Sequence, residues 1–413
     1  MSHSNDTEIP YQKKTQQAIW WTSILCEPLL SVYVLTGFIL RKSLGASAFE
    51  ISILTMLKPV MALFTLYWTA NVTDRSDKLK SNFLSAGFLS RLPFLFFPLY
   101  DNVWFVILAS AFYMLFSRAG IPAWVEILKL NIPRGSREKT FSLGSALGYL
   151  EGVFLAIGIG ALLDHNPAIW KQLFFYSAIL GMINLIILSR IPINYRMAPI
   201  PREVFRLSIK EKLIKPWRES WELLRRRADF AHFQWGFMLC GFGIMLIQPA
   251  LPFFFHDVLN LSYLDLAIAL SICKALGFVF SSPFWGRAMG RIPIGKLSSI
   301  VFICVGLFPL MLLLTPFHLS WLYLAYGFYG IAQGGSHLIW HLSGPAFAGR
   351  ESSSIYSNVN IVTVGLRGAV APPLGGLLSA VFGPFIVLIL GVAFCFYSGY
   401  VMLRKRIKAF TTY

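Results

Sequence analysis

The chain of 413 residues is 56% hydrophobic and only 13% charged, and its mean hydropathy is +0.62. Soluble domains have about 45–50% apolar and about 25% charged residues, so this composition excludes an ordinary soluble globular protein. A membrane-spanning helix needs roughly 20 mostly apolar residues, and the apolar residues available suffice for about twelve such helices. The composition therefore predicts an all-α membrane protein with twelve transmembrane helices.

The apolar segments follow one another along the chain in two groups of six, numbered here as predicted spans 1 to 12. They lie at about residues 19–40, 48–70, 82–100, 102–124, 141–163 and 169–189, then at about 231–255, 262–285, 296–315, 318–341, 353–380 and 382–403. We therefore predict five parts: a cytoplasmic tail over 1–18, a six-helix bundle over 19–189, a basic cytoplasmic linker over 190–230, a second six-helix bundle over 231–403 and a cytoplasmic tail over 404–413.

The basic residues are distributed very unevenly over the predicted loops. If both termini are cytoplasmic, 28 Lys or Arg lie in cytoplasmic segments, whereas only Arg41, Lys42 and Lys171 lie in outer loops. Lys and Arg collect in the cytoplasmic loops of membrane proteins. The partition predicts a multi-pass protein of the cytoplasmic (inner) membrane with both termini inside. It also explains the net charge of +17 by orientation and by attraction to anionic membrane lipids, so we expect no nucleic-acid partner.

The residues that carry out catalysis or hold metals in other proteins do not form a recognisable pattern in this chain. The five cysteines lie singly in apolar runs, without CxxC spacing or a nearby histidine ligand, so we expect no disulfide and no metal site. No Walker A sequence, nucleophile elbow or HExxH motif is present. We therefore expect a protein that is not an enzyme and that needs no cofactor.

The second group of spans repeats features of the first at a shift of 216 residues. Lys58 falls on Lys274, and Glu151 falls on Arg367. Aromatic residues match at the same shift, as Trp124 does with Trp340. Repeats of parallel orientation are typical of transporters whose substrate path lies at the membrane midplane between two halves. The shift therefore predicts two pseudo-symmetric six-helix halves.

The loop after span 2 has the sequence NVTDRSDKLK, in which Asp74 and Arg75 precede a basic tail. Its counterpart after span 8 contains Gly286 and Arg291. Here the chain resembles the major facilitator superfamily, whose signature in this loop is close to G-x-x-x-D-R-x-G-R-[RK], although both glycines are replaced. The resemblance implies two six-helix bundles and transport by alternating access. Asp74 and Arg75 would latch the inner gate, with Gly286 and Arg291 as a second copy; the alternative is a solvated loop.

Charged residues inside the predicted spans are candidates for function, because a charge at the bilayer centre costs at least about 2.5–3.5 kcal/mol. The candidates for substrate binding or coupling are Glu27, Lys58, Arg118, Glu151, Lys274 and Arg367. The resembled fold implies that Glu151 pairs with Lys274. It also implies that Lys58 lies near Arg367. A buried structural network is the alternative, and a seventh residue, Arg91, is expected to pack or to extend towards the cytoplasm.

Span 10 adds one more candidate, His337, which lies beside small and polar residues. His337 is expected to form a hydrogen bond with the substrate or to bind a proton. The alternative is a core histidine whose hydrogen bonds are satisfied within the protein. Two histidines four residues apart lack a third ligand, so zinc is not expected.

The charges inside the spans also predict the class of substrate. If all six charged candidates reach one path, their formal sum is +2, and an anion would relieve the cost of burying those cations. The sequence therefore predicts a secondary active transporter, acting as a monomer, for a small organic anion, zwitterion or phosphorylated metabolite. A coupling proton or a counter-substrate would be a second partner. Proton-coupled efflux of hydrophobic compounds, lipid flipping on the same fold, and a receptor or scaffold that transports nothing remain alternatives.

Overall fold

A computed structural model describes the chain over residues 5–69, 76–193, 209–289, 291–348 and 353–404. Within these ranges the regular structure is helical, and no β-strand occurs. The α-helices are α1 (Asn5–Val34), α2 (Thr36–Leu44), α3 (Ala48–Thr69), α4 (Leu79–Arg91), α5 (Val103–Ala119), α6 (Ile121–Asn131), α7 (Arg134–His165), α8 (Trp170–Ser189), α9 (Ile209–Arg226), α10 (Ala228–Ile247), α11 (Leu251–Phe253), α12 (Tyr263–Ala267), α13 (Lys274–Met289), α14 (Ile294–Leu312), α15 (Ser320–Ala348), α16 (Ser353–Phe382) and α17 (Pro384–Arg404). Shorter 3₁₀-helices cover Ser76–Lys78, Leu92–Leu99 and Pro167–Ile169, and π-helices cover Phe254–Val258 and Ile268–Cys273.

The described residues contain nine helical segments that are long and apolar enough to cross a membrane. A tenth is formed by α1 and α2 together, which meet at a bend of 49°. Two further helices, α7 and α15, lie where spans 5 and 10 are predicted. The all-α, multi-pass membrane prediction is therefore confirmed, and the count of twelve spans is consistent with these segments.

The helices divide by their contacts into two units. The first comprises residues 1–39 and 64–206, and the second comprises residues 40–63 and 207–413. The segment 40–63, which is the end of α2 and most of α3, belongs by sequence to the first predicted half but packs in the second unit. Residues of span 2 can therefore contact residues of spans 7, 8 and 11 within one unit.

The first unit is built around α1, which packs against α7 and α8. Its aromatic core consists of Phe94, Phe97, Trp170 and Phe174, whose rings lie 5.0–6.3 Å apart in stacked and edge-to-face pairs. Such rings bury large apolar areas and fix the relative positions of the helices that carry them. This core holds α8 against the 3₁₀-helix that follows α4.

The second unit has its densest packing between α13 and α15 and among α10, α14 and α17. Its core includes the fully buried rings of Phe230, Phe233, Phe347 and Tyr356. The predicted linker contributes α9, an amphipathic helix whose Leu223 joins this core. The opposite face of α9 leaves apolar side chains exposed, as its sequence predicts for a helix at a membrane surface.

Candidate functional site

Glu27 lies in the first unit, at the contact between α1 and α7. Its carboxylate faces two glycines of α7: a Cβ on Gly148 would lie 3.3 Å from Oε2, and a Cβ on Gly152 would lie 2.8 Å from Oε1. One turn earlier, Gly144 meets Ile19 in the same way. The GxxxGxxxG spacing of α7 therefore lets α1 approach closely, as small residues do between membrane helices. The close approach places a carboxylate directly on the helix backbone.

Glu151 lies beside the same contact, one residue before Gly152. The carboxylates of Glu27 and Glu151 are close enough for their charges to repel. Glu151 is half-buried, and its Oε2 has no hydrogen-bond partner among the residues that the structure describes. The first unit thus brings two of the predicted acidic residues together. The predicted pairing of Glu151 with Lys274, which belongs to the second unit, stays a prediction.

Arg91, which was expected to pack or to extend towards the cytoplasm, belongs to a polar cluster in the first unit. Its guanidinium donates to the Gly87 carbonyl oxygen at 2.8 Å and to the Cys26 sulfur at 3.2 Å. Asn184 also donates to Cys26, at 3.4 Å, and accepts from Thr22 at 3.1 Å. These residues line a cavity of about 250 Å³. No spacing in the sequence indicated this cluster, because Cys26, Arg91 and Asn184 lie on three separate helices.

Arg118 occupies the last turn of α5 and is half-buried. Gly120, two residues later, has the right-handed helical angles φ −76° and ψ −20°. The chain therefore passes almost directly from α5 into α6. A cation in the last turn of a helix is favourable because the helix dipole is negative there. This position fits the structural alternative for Arg118, while its role in coupling stays a prediction.

Lys58 and Lys274 come together in the second unit. The two ammonium groups are close enough for their charges to repel. Lys58 is exposed and Lys274 is partly buried. Lys58 and Lys274, which are related by the 216-residue shift, therefore place two positive charges near each other in membrane-spanning helices. Burying a charge in such helices is energetically costly.

The position of Lys274 depends on an unusual stretch of backbone. The π-helix Ile268–Cys273 ends immediately before it, and Lys274 begins α13. A Cβ on Gly330 of α15 would overlap the Lys274 carbonyl, so α13 and α15 cross in backbone contact. Single π-helical turns inside α-helices occur frequently at functional sites. The crossing fixes the backbone from which the lysine side chain extends.

Arg367 contacts α10 through its guanidinium group. Its Nη1 donates to the Phe237 carbonyl oxygen at 2.6 Å, and its guanidinium carbon lies 4.7 Å from the centre of the Phe237 ring. A Cβ on Gly241 would overlap the guanidinium. The side chain is 8% exposed. Arg367 is held by α10 because a glycine there leaves room for its head group, and its proximity to Lys58 stays a prediction.

His337 lies on α15 and is exposed. Its ring packs edge-on against Phe278 of α13, with 5.6 Å between the ring centres. It therefore lies along the same pair of helices as Lys274. No group of three or more metal-ligating residues occurs in the described part of the chain.

The predicted inner gate is only partly covered by the described residues. Asp74 and Arg75 lie outside them. Gly286 is exposed, with no atom within 4 Å of the position a Cβ would occupy, and Arg291 is also exposed. Gly286 lies in the last turns of α13 and not in the predicted loop, whereas Arg291 follows that helix. The gate role of all four residues stays a prediction.

An ion pair that the sequence did not indicate joins the end of α2 to the segment after α10. Arg41 makes two hydrogen bonds to Asp257, at 3.1 and 2.7 Å. Lys42 donates to the Leu261 carbonyl oxygen at 2.8 Å, and Ser43 lies 2.7 Å from the Tyr263 hydroxyl. We call these contacts the outer latch. They account for two of the three cations that the predicted topology places outside.

The comparisons with known proteins decide the family. A family model described as Major Facilitator Superfamily matches residues 29–372. The chain belongs to the major facilitator superfamily. No curated protein matches it by sequence. The match confirms the resemblance drawn from the loop sequences, and it makes this superfamily member a secondary transporter in its general class.

Solved structures of transporters share the fold of this superfamily member. The nucleoside transporter NupG has a TM-score of 0.68 at 13% identity, covering 95% of this chain and 99% of that chain. A POT family transporter in complex with 5-aminolevulinic acid has 0.72 at 11% identity, with 94% and 95% covered. A bacterial homologue of the human lysosomal transporter Spinster has 0.62 at 16% identity, with 97% and 99% covered. At these identities the likeness shows the fold alone.

Proposed function

We propose that this protein is a monomeric secondary active transporter that moves a small organic anion, or a zwitterion or phosphorylated metabolite, by alternating access. Lys58 and Lys274 contact the anionic group of the substrate. The observation that carries this proposal is the proximity of their two ammonium groups within membrane-spanning helices. Like charges inside membrane-spanning helices repel one another, and an anion that contacts both would offset that repulsion.

The carboxylates of Glu27 and Glu151 supply the coupling step in this proposal. Two negative charges close together inside a membrane protein are unfavourable, so a proton bound by one of them removes the repulsion. The buried Oε2 of Glu151 has no hydrogen-bond partner among the described residues, which supports this use. Proton binding in the first unit would then accompany anion binding in the second.

The outer latch supports the alternating-access part of the proposal. The four residues from Arg41 to Leu44 end α2, and the residues they contact lie between α10 and α13. Exposed ion pairs contribute only about 0.2–1 kcal/mol each, so such a latch can open and close at little cost. Its opening would admit solute from the side opposite the cytoplasm.

The substrate proposal can be tested with purified protein and a panel of anionic, zwitterionic and cationic metabolites. A ligand raises the melting temperature of the protein it binds. We expect stabilisation by at least one anionic compound, and weaker binding by about tenfold or more in Lys58→Gln and Lys274→Gln, since each loses one charge-assisted contact. Lys129→Gln, at an exposed lysine paired with Glu126, is the control. A hydrophobic cation that binds all four proteins equally would favour efflux.

The orientation in the proposal places both termini in the cytoplasm. In a background without native cysteines, a cysteine replacing Asp101 or His318 should react with an impermeant reagent added outside intact cells. A cysteine replacing Lys210 should not react. The reverse pattern would contradict the orientation that the basic loops predict.

A further inference from the structure

A groove lies between the first part of α1 and the end of α8, within the first unit. It has a volume of about 280 Å³. Its lining consists of Lys14, Gln17, Ala18 and Trp21 from α1, and of Ile187, Arg190 and Ile191 from α8 and the residues after it. The groove combines cations with an apolar floor, and no acidic side chain is among the described residues that line it.

The groove lies at the level where the chain enters the membrane. The apolar part of α1 begins at Ala18, and α8 ends at Ser189. Trp21 is 51% exposed and stands beside the groove. Tryptophan is enriched where membrane helices meet the lipid headgroups. Lys14 and Trp21 are seven residues apart, which is about 10 Å along a helix, so the lining changes from charged to apolar over roughly the depth of a headgroup.

The two cations approach the groove from different helices. Lys14 and Arg190 are both exposed, and neither has an ion-pair partner in the part of the chain that the structure describes. The groove floor is closed by Ala18 and Ile191, which are buried with Leu185 and Leu188 in one cluster. The floor is thus held by packed side chains, while the cations at its mouth are open to a ligand.

We propose that this groove binds one anionic phospholipid, with its phosphate between Lys14 and Arg190 and an acyl chain along Trp21 and Ile187. Basic pockets between membrane helices bind anionic headgroups. The positive charges of the lining would attract the phosphate, and its apolar residues would contact the acyl chain. This site is separate from Lys58, Lys274, Glu27 and Glu151, so it does not depend on the proposed transport function.

The proposal is tested by adding phosphatidylglycerol or phosphatidylcholine to the detergent-purified full chain and measuring bound lipid by native mass spectrometry. We expect phosphatidylglycerol to bind more tightly than phosphatidylcholine. Each charge removed should weaken phosphatidylglycerol binding about fivefold, so Lys14→Gln with Arg190→Gln should weaken it roughly 25-fold and leave phosphatidylcholine binding unchanged. The control carries Lys129→Gln and Arg404→Gln, which remove the same charge at other exposed helix ends.

Two results would overturn the proposal. The first is equal loss of phosphatidylglycerol in the groove variant and in the control, which would indicate attraction to net charge alone. The second is competition by glycerol phosphate at the same concentration as the lipid, which would mean that the acyl chain contributes nothing. A third variant, Lys14→Arg, keeps the charge and should keep the preference for phosphatidylglycerol, which guards against a folding defect in the double variant.

Discussion

The two units use charge inside the membrane in opposite ways. The first brings together two carboxylates, Glu27 and Glu151, against a glycine-rich face of α7. The second brings together two ammonium groups, those of Lys58 and Lys274, beside the crossing of α13 and α15. In both cases like charges lie where membrane helices rarely tolerate even one. In the proposed function, the first unit would therefore bind a proton and the second an anion.

The arginines provide a contrast with these like-charge pairs. Arg91 and Arg367 each donate to a backbone carbonyl oxygen, of Gly87 and Phe237 respectively. Both head groups lie against glycines, since a Cβ on Gly181 or Gly241 would overlap them. Arg91 and Arg367 therefore hold helices together, whereas Lys58 and Lys274 are the cations that we propose to contact a ligand.

Replacing Arg367 should have the largest effect on stability. We expect Arg367→Ala to destabilise the protein by about 3 kcal/mol, because a buried carbonyl oxygen loses a charge-assisted bond and a cavity forms. Arg287→Ala, at an exposed arginine of α13, should change the free energy of unfolding by less than about 0.5 kcal/mol. Thermal unfolding in detergent measures both. If the two variants were equally stable, the holding role of Arg367 would be wrong.

The proposed role of Lys58 and Lys274 in anion binding can be tested by reversing one of the two charges. In Lys58→Glu the new carboxylate should attract Lys274, so the melting temperature should hold or rise by a few degrees while anion binding falls more than tenfold. Lys58→Gln should lower binding less. Binding is measured by ligand-induced stabilisation. If Lys58→Glu bound the anion as tightly as the unchanged protein does, Lys58 would not contact the substrate.

The carboxylate pair is tested by neutralising one member at a time. Glu27→Gln should retain folding, because glutamine has the same shape, but should abolish the dependence of uptake on a pH gradient in proteoliposomes. Glu151→Gln should behave in the same way. Asp164→Asn, which changes a carboxylate elsewhere on α7, is the control. Unchanged pH dependence in both variants would assign coupling to other residues.

The outer latch should give the smallest change in stability. Arg41→Ala and Asp257→Ala should each cost less than about 1 kcal/mol, because the pair is exposed. Their effects should not add in the double variant, since both remove the same pair. Both should raise the reactivity of a cysteine placed at Ser43. Additive effects would show that the two side chains act independently.

The sequence predicted most of the helices, because a membrane span requires a continuous apolar run that is visible without a structure. It also predicted which charged residues are unusual. It did not predict their partners: Arg367 lies on Phe237 because Gly241 leaves room, and no residue spacing reports that space. The shift of 216 residues related Lys58 to Lys274 by sequence, but only packing of the segment 40–63 in the second unit brought them together.

The π-helix Ile268–Cys273 determines how this segment would respond to the deletion of a residue. A π-helical turn contains one residue more than the hydrogen-bonding pattern of an α-helix uses, so it is equivalent to a single inserted residue. Deleting one residue there would restore regular α-helix and leave the segments on either side in nearly the same relative orientation, because the wider π turn winds more slowly than an α turn. The π turn therefore accommodates an extra residue locally, so that Lys274 keeps its side of the helix relative to Tyr263 and Asp265.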